Sequence, residues 1–178
     1  MEVSLPTANR LLNPGEVILV TSKHEDKVNI ITIAWQSPVS HTPPLLCISV
    51  GKTRYSHDLI RLSKEFVVNI PTVDILPQVV KCGKVSGKTI DKFAITGLTL
   101  INSSEVYPPR IKECIGWLEC RLANQFSCGD HTLFIGEVLL AEAKEEFFDK
   151  HWLVNHSKLI HHLGGNFYTL PSLAIEQG

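Results

Sequence analysis

Apolar and polar positions alternate through most of this chain, and that period of two predicts strands. Glu16–Ser22 is an apolar, β-branched run, His24–Lys27 is polar, and Val28–Gln36 continues as VNIITIAWQ, so the two runs predict a hairpin. Three prolines within Ser37–Pro44 predict a loop, and Leu45–Val50 the next strand. From Ser56 the spacing turns helical: Leu59, Leu62 and Phe66 share one face, Arg61 and Lys64 look outward, and Asp58 suits the first turn. Phe66–Ile70 predicts a short strand ended by Pro71. Thr72–Gly97 predicts short helices with a glycine-rich loop, and Leu98–Asn102 a further strand. Two long strands follow Pro108-Pro109. In Trp117–Phe126, Leu118, Cys120 and Leu122 alternate with Glu119 and Arg121, a half-buried period. His131–Ala143 is apolar on both faces over Leu133–Leu140 apart from Glu137, which calls for a helix or a second subunit over its outer surface. Many strands, few helices and no βαβ alternation predict a mainly β fold, a closed antiparallel barrel with accessory helices.

No repeat, low-complexity tract or linker divides the 178 residues, so a single domain spanning 1–178 is expected, long enough for a real core. A hydrophobic share of 44%, a formal charge of −1 and a pI near 6.7 leave no electrostatic footprint for nucleic acid or an anionic membrane. MEVSLPTANRLL lacks the cationic start and apolar run of a signal peptide, and no apolar stretch is long enough to span a bilayer, so a cytoplasmic location is expected. Five cysteines (Cys47, Cys82, Cys114, Cys120, Cys128) form no Cys-x-x-Cys pair, and none of the eight histidines has zinc-protease spacing. Neither a disulfide framework nor a metal site is expected. Cys47 and Cys120 fall in strands as small hydrophobes, while Cys82 and Cys128 sit beside glycines, where a thiol is open to reaction.

One stretch carries candidate chemistry. LLCISVGKTRYSHDLIRL, Leu45–Leu62, runs strand, glycine, two basic residues, then a serine opening a helix. Freed amides after Val50, cationic Lys52 and Arg54, the Ser56 hydroxyl and the helix's positive end would converge on an anion. The glycine-lysine-serine run of a triphosphatase loop is missing, so a single phosphate ester suits this cradle better. Taken alone, the stretch also reads as a solvated surface loop in which Ser56 is only an N-cap.

Four collinear segments together resemble the flavin reductase-like family of FMN-binding split β-barrels, which includes flavoredoxins and archaeal FMN-binding proteins. They are NIITIAWQSPVS (Asn29–Ser40), GKTRYSHDLI running into EFVVNIP, CGKVSGKTIDKF (Cys82–Phe93), and GDHTLFIGEV (Gly129–Val138) accompanied by LIHHLGGNFY. The resemblance covers roughly residues 8 to 170 and implies an FMN-binding split barrel of closed Greek-key form. It implies flavin contacts from Trp35, Gln36 and Ser37, backbone of Val50 and Gly51 passing beside the cofactor, and a phosphate held by Lys52, Arg54, Ser56 and His57. In Asn29–Gln36, Ile31, Ile33 and Trp35 fall on one face and Thr32, Ala34 and Gln36 on the other, which is small and polar enough for a ring or ribityl chain to approach.

By the same resemblance the loop from Cys82 through Gly83 and Ser86 to Lys92 borders the cofactor. The family often carries arginine where this chain has Lys88, a swap that loses a bidentate donor. His131 opens a long strand at the rim of the barrel, where its imidazole would donate to a flavin oxygen, meet an electron donor, or simply bond to neighbouring backbone. The implied protein is a homodimer with FMN near the subunit interface. It would take reducing equivalents from NAD(P)H and pass them to free flavin, ferric iron or a protein. Two alternatives stay open: a flavoredoxin-type carrier reduced by a redox protein partner, and a non-enzymatic FMN-binding protein. No nucleophile or obligatory acid is required, because the cofactor carries the redox chemistry.

Overall fold

The computed structural model describes residues 1–12 and 15–175. A 3-10 helix over Leu5–Leu12 leads to β1 (Gly15–Glu16), β2 (Ile18–His24), β3 (Lys27–Ile33), β4 (Gln36–Ser40), β5 (Leu45–Gly51), α1 (Tyr55–Ser63) and β6 (Glu65–Ile70). There follow α2 (Leu76–Lys84), α3 (Lys92–Thr96), β7 (Leu100–Ile101), β8 (Arg110–Ile111), β9 (Gly116–Cys128) and β10 (His131–Ala143). The chain closes with β11 (Phe148–Asp149), β12 (His151–Trp152), α4 (Val154–Ser157), β13 (His161–Gly164) and β14 (Phe167–Thr169). No described helix is long and apolar enough to cross a membrane.

Hairpins β2–β3, β4–β5 and β9–β10 supply most of a seven-stranded antiparallel sheet ordered β3-β2-β6-β9-β10-β5-β4. The β2–β3 turn is two residues long, with Glu25 at φ 52°. Inward side chains include Ile18, Val20, Ile33, Ile48, Val50, Phe66, Val68 and Phe134, a single apolar cluster. The alternate residues Leu19 and Ile30 face outward and are covered by Val79 and Cys82 of α2, which builds a second cluster. Thus β2 and β3 are buried on both faces, and their near-continuous β-branched runs follow from that.

The described hydrogen bonds do not close the barrel: β3 and β4 stand at opposite ends of the ladder order. The covalent link Ala34-Trp35 crosses the gap, and the Ser49 amide donates to the Trp35 carbonyl at 2.9 Å, one rung beyond the β4–β5 ladder. The wall is therefore split at this seam.

Three local expectations are corrected. Gln36–Ser40 is a strand despite Pro38, because β4 is an edge whose register shifts between Pro38 and Ser40, so the missing amide costs no ladder bond. Helix α1 ends at Ser63 with Lys64 in the left-handed region, and it buries Ser56, Leu59 and Ile60 while Leu62 is half exposed. Glu119 does not point to water. It is fully buried, accepting from the Ser104 and Glu105 amides and from Arg110 Nε at 2.6 Å.

Candidate functional site

The seam opens on the outer side of β3 into a cleft of two joined recesses. The larger, about 410 Å³, is walled by β3, the end of β5, α2 and the β13–β14 hairpin; the smaller, about 150 Å³, lies between Asn29, α1 and the Cys82–Lys92 segment. Ile31, Thr32, Arg54 and Gly83 line both.

In the smaller recess, the helical spacing that buries Leu59 and Ile60 also turns Ser56 inward against β3. Arg54, not Ser56, is the N-cap residue of α1. Asn29 Nδ2 donates to Ser56 Oγ at 2.9 Å, so the serine proton remains free to point into the recess. Asn29 Oδ1 is buried without a partner, and a Cβ on Gly87 would lie 1.9 Å from it. Glycine is required there because the loop backbone presses directly onto the Asn29 amide. Lys92 is buried; its ammonium donates to Ile30 O at 2.8 Å and Cys82 O at 2.6 Å, tying α3 to β3 and α2, with one proton left for the recess. Burial pulls the Lys92 ammonium below the ordinary lysine range; the Cys82 thiol opposes that shift and Arg54 reinforces it. Burial pushes the Cys82 thiol up to about 11, with Lys92 pulling the other way. Cys82 lies inside α2, not in a loop, and is a fully buried neutral thiol; exposed Cys128 retains the accessible position.

The larger recess is flatter and less polar. Thr32 Oγ1 donates to Val79 O at 2.6 Å, and Gly83 passes so close that a Cβ would sit 3.4 Å from Thr32. Trp35 and His131 stack with ring centroids 5.0 Å apart, and His131 Nδ1 lies 2.7 Å from Asp130 Oδ1. That hydrogen bond holds the Asp130 carboxyl below its ordinary range. A Cβ on Gly51 would stand in ordinary contact with His131 Nε2, at 3.6 Å.

Of the residues expected at the site, Trp35, Val50, Gly51, Arg54, Gly83 and His131 line the larger recess, and Arg54, Ser56, Cys82, Gly83, Ser86 and Lys92 the smaller. Four lie elsewhere. Lys52 Nζ is committed to Ser127 Oγ and Gly129 O, both at 2.6 Å. His57, about 100° further round α1 than Ser56, bonds Thr132 Oγ1 at 2.9 Å and packs on Phe134. Gln36 lines a different cavity, and Ser37 Oγ donates to Pro38 O at 2.9 Å on the exposed edge. The break in β3 pairing at Ala34-Trp35 shifts the phase of the strand, so Trp35 turns to the cleft and Gln36 away.

Nothing in the sequence marked the walls supplied by Val79 and Val80 and by His162, Asn166 and Tyr168, while Lys84, within the expected Cys82–Lys92 stretch, lines the larger recess. The His162 and Tyr168 rings meet at a 47° tilt with centroids 5.3 Å apart, across a hairpin whose turn uses Gly164 and Gly165 at φ 122° and 61°. That glycine pair was the local signal for a tight turn, but nothing near it told where the turn docks.

A split antiparallel wall with a polar recess at a helix start and a flatter, less polar slot beside it defines the class of cleft. Residues 10–165 match the family model described as Flavin reductase like domain, and the chain belongs to that family. A protein of Archaeoglobus fulgidus described as uncharacterized is 40% identical over 166 residues, 93% of each chain. Among solved structures, flavoredoxin of Desulfovibrio vulgaris (Miyazaki F) is 26% identical with a TM-score of 0.88, covering 99% of this chain and 97% of that one. The FMN-binding domain of a flavin reductases-like enzyme from Shewanella baltica is 26% identical with a TM-score of 0.82, over 99% and 96% of the two chains.

Proposed function

We propose that this chain binds FMN in the split-barrel cleft and passes reducing equivalents from NAD(P)H to a second acceptor, whether free flavin, ferric iron or a protein. The observation that carries the reading is the pairing of the two recesses: a polar pocket sized for a phosphate ester opens directly into a flatter slot. The residues fit the group. The Ser56 hydroxyl, with its oxygen already engaged by Asn29, is left as a donor beside Arg54 and the third proton of Lys92. Bound FMN would supply hydride and single-electron chemistry that no side chain here possesses.

The chain's own residues would bind, orient and shield. Arg54 and Ser56 hold the anionic tail, and the first-turn amides of α1 add their positive end. Val17, Ile31 and Ile33 exclude water along the slot. His131 presents Nε2 to the cleft while Asp130 accepts from Nδ1, so Nε2 accepts from a polar atom lying against it when the ring is neutral and donates to one when the ring is protonated. Dimerisation belongs to the same reading: the second half of β9 is exposed and carries Phe126, 51% exposed, which a second copy would cover. The flavoredoxin likeness supports the alternative of a carrier reduced by a redox protein, and one experiment separates the two. The purified protein should show an oxidised-flavin band at about 450 nm that bleaches under anaerobic NADH or NADPH. A band that resists both nucleotides but bleaches with reduced ferredoxin favours the carrier; no flavin uptake at all ends both readings.

Two single substitutions should probe the cleft. His131→Ala is expected to keep FMN bound while changing its reduction rate by about tenfold, the worth of one hydrogen bond; stopped-flow traces identical to wild type would make His131 structural. Gly87→Ala should drive Asn29 off Ser56 and weaken FMN binding by about tenfold, measured by fluorescence titration.

A further inference from the structure

At the end of the barrel remote from the His131 rim, the interior is not filled. There the start of β2, the end of β6, the start of β9 and the end of β10 surround a cavity of about 570 Å³, walled by Ile18, Val68, Ile70 and Leu118 and roofed by Phe148 and Trp152. It continues the inward apolar cluster, since Ile18, Val68 and Ile70 belong to both. The roof is built in: Phe148 and Trp152 meet edge-to-face at 5.1 Å, and the Trp152 ring seats on Gly116, where a Cβ would lie 2.8 Å from it.

The polar groups of this cavity are one-sided. Among the described residues, its walls carry Glu16, Glu142 and Glu145 and no lysine, arginine or histidine. Glu142 is already engaged by Arg110. Glu16 is not: its Oε1 is buried with no hydrogen-bond partner, and burial alone pushes its carboxyl up from the usual range. His161, opposite Glu16 on β13, does not line the chamber and leaves its own Nδ1 without a partner, so the Glu16 carboxyl lacks a donor that an incoming cation would supply. The facing aromatic rings favour the same sign, since their faces attract cations; the outer neighbour Trp117 already draws Lys144 Nζ to 5.9 Å from its centroid.

The geometry points to a second binding site in this barrel mouth, one that takes a small organic ammonium with an apolar body, the ammonium set on Glu16 and the body against Phe148 and Trp152. The site shares no lining residue with the larger recess of the cleft and does not depend on flavin binding. An apolar body removes the chamber from water at about 25 cal/mol per Å², while the ammonium supplies the donor that Glu16 lacks.

The test uses three probes of one shape: 2-phenylethylammonium, 2-phenylethanol and phenylacetate, titrated into the purified full chain by calorimetry and by proton–nitrogen NMR. The ammonium is expected to bind about tenfold or more tighter than the alcohol, with phenylacetate weakest and shifts centred on the Trp152 indole. Glu16→Gln should bring ammonium and alcohol to equal affinity. Because that change touches a buried group, Ala141→Trp on the exposed rim is the second variant; it should weaken all three probes while the fold stays intact by circular dichroism. Equal binding of ammonium and alcohol to wild type, or preference for phenylacetate, overturns the proposal. So does absence of binding by any probe at millimolar concentration. If, in that case, Ala141→Trp turns a dimer into a monomer on ultracentrifugation, the chamber is a subunit interface instead.

Discussion

Replacing Arg54 and Ser56 together by alanine is expected to weaken FMN binding by about 100-fold or more, the loss of two charge-assisted hydrogen bonds at about 1.5–3 kcal/mol each. The two residues act on one recess from adjacent turns of chain, so their effects need not add, and the double variant is the cleaner measurement. Removing the Ser56 hydroxyl also strands Asn29 Nδ2, which costs about 1–3 kcal/mol of stability, so the fold must be followed in parallel. Riboflavin separates the two effects, because it shares the ring and lacks the phosphate. Riboflavin affinity should be equal in wild type and double variant, while FMN affinity falls. Unchanged FMN affinity removes the phosphate assignment; loss of both ligands alike makes the damage structural.

The logic of that prediction was legible in the sequence only in part. The order strand, glycine, basic residues, serine, helix located the cradle, because backbone geometry at a strand-to-helix junction is a local property. What the order could not fix was rotation. A one-residue difference in the phase of α1 decides that Ser56, Leu59 and Ile60 face inward while His57 swings to Thr132 and Leu62 to solvent. The β3 segment failed in the same way. Strict alternation puts Thr32 and Gln36 on one face, but the pairing lapse at Ala34-Trp35 resets the phase and sends Gln36 to the barrel mouth. The β2–β3 hairpin and the strands set by short-range pattern were legible, β4 apart; the closed barrel was not, because closure depends on whether β3 and β4 pair across the seam. The walls from His162 and Tyr168 depended on a contact more than a hundred residues from β3 along the chain. Glu119 was misread for a related reason. A period of two assigns a side to each residue and says nothing of the guanidinium waiting on that side, which comes from β8.

Glu119→Leu is expected to lower stability by about 3–5 kcal/mol, which for a chain of this size lowers Tm by roughly 10 °C or more. Three donors lose their acceptor at once: the Ser104 and Glu105 amides, on exposed residues, and Arg110 Nε, which is buried with the carboxylate and carries most of the cost. Arg110 keeps Glu142, which is half exposed and holds the guanidinium only from the solvent side. Burial alone would raise the Glu119 carboxyl, but the two backbone donors and Arg110 outweigh it, and the net shift is downward from its ordinary 4.5. A group lowered in the folded state stabilises fully above its unfolded value and loses that contribution as pH falls. Wild type should therefore lose stability below about pH 4.5, and the gap between wild type and Glu119→Leu should narrow over the same range. A gap that stays constant from neutral to acid pH would show that the variant acts through packing rather than charge. Because Glu119 sits on β9 and lines neither recess of the cleft, FMN affinity at 25 °C should change little, so a large loss of affinity would reveal coupling between this buried ion pair and the seam.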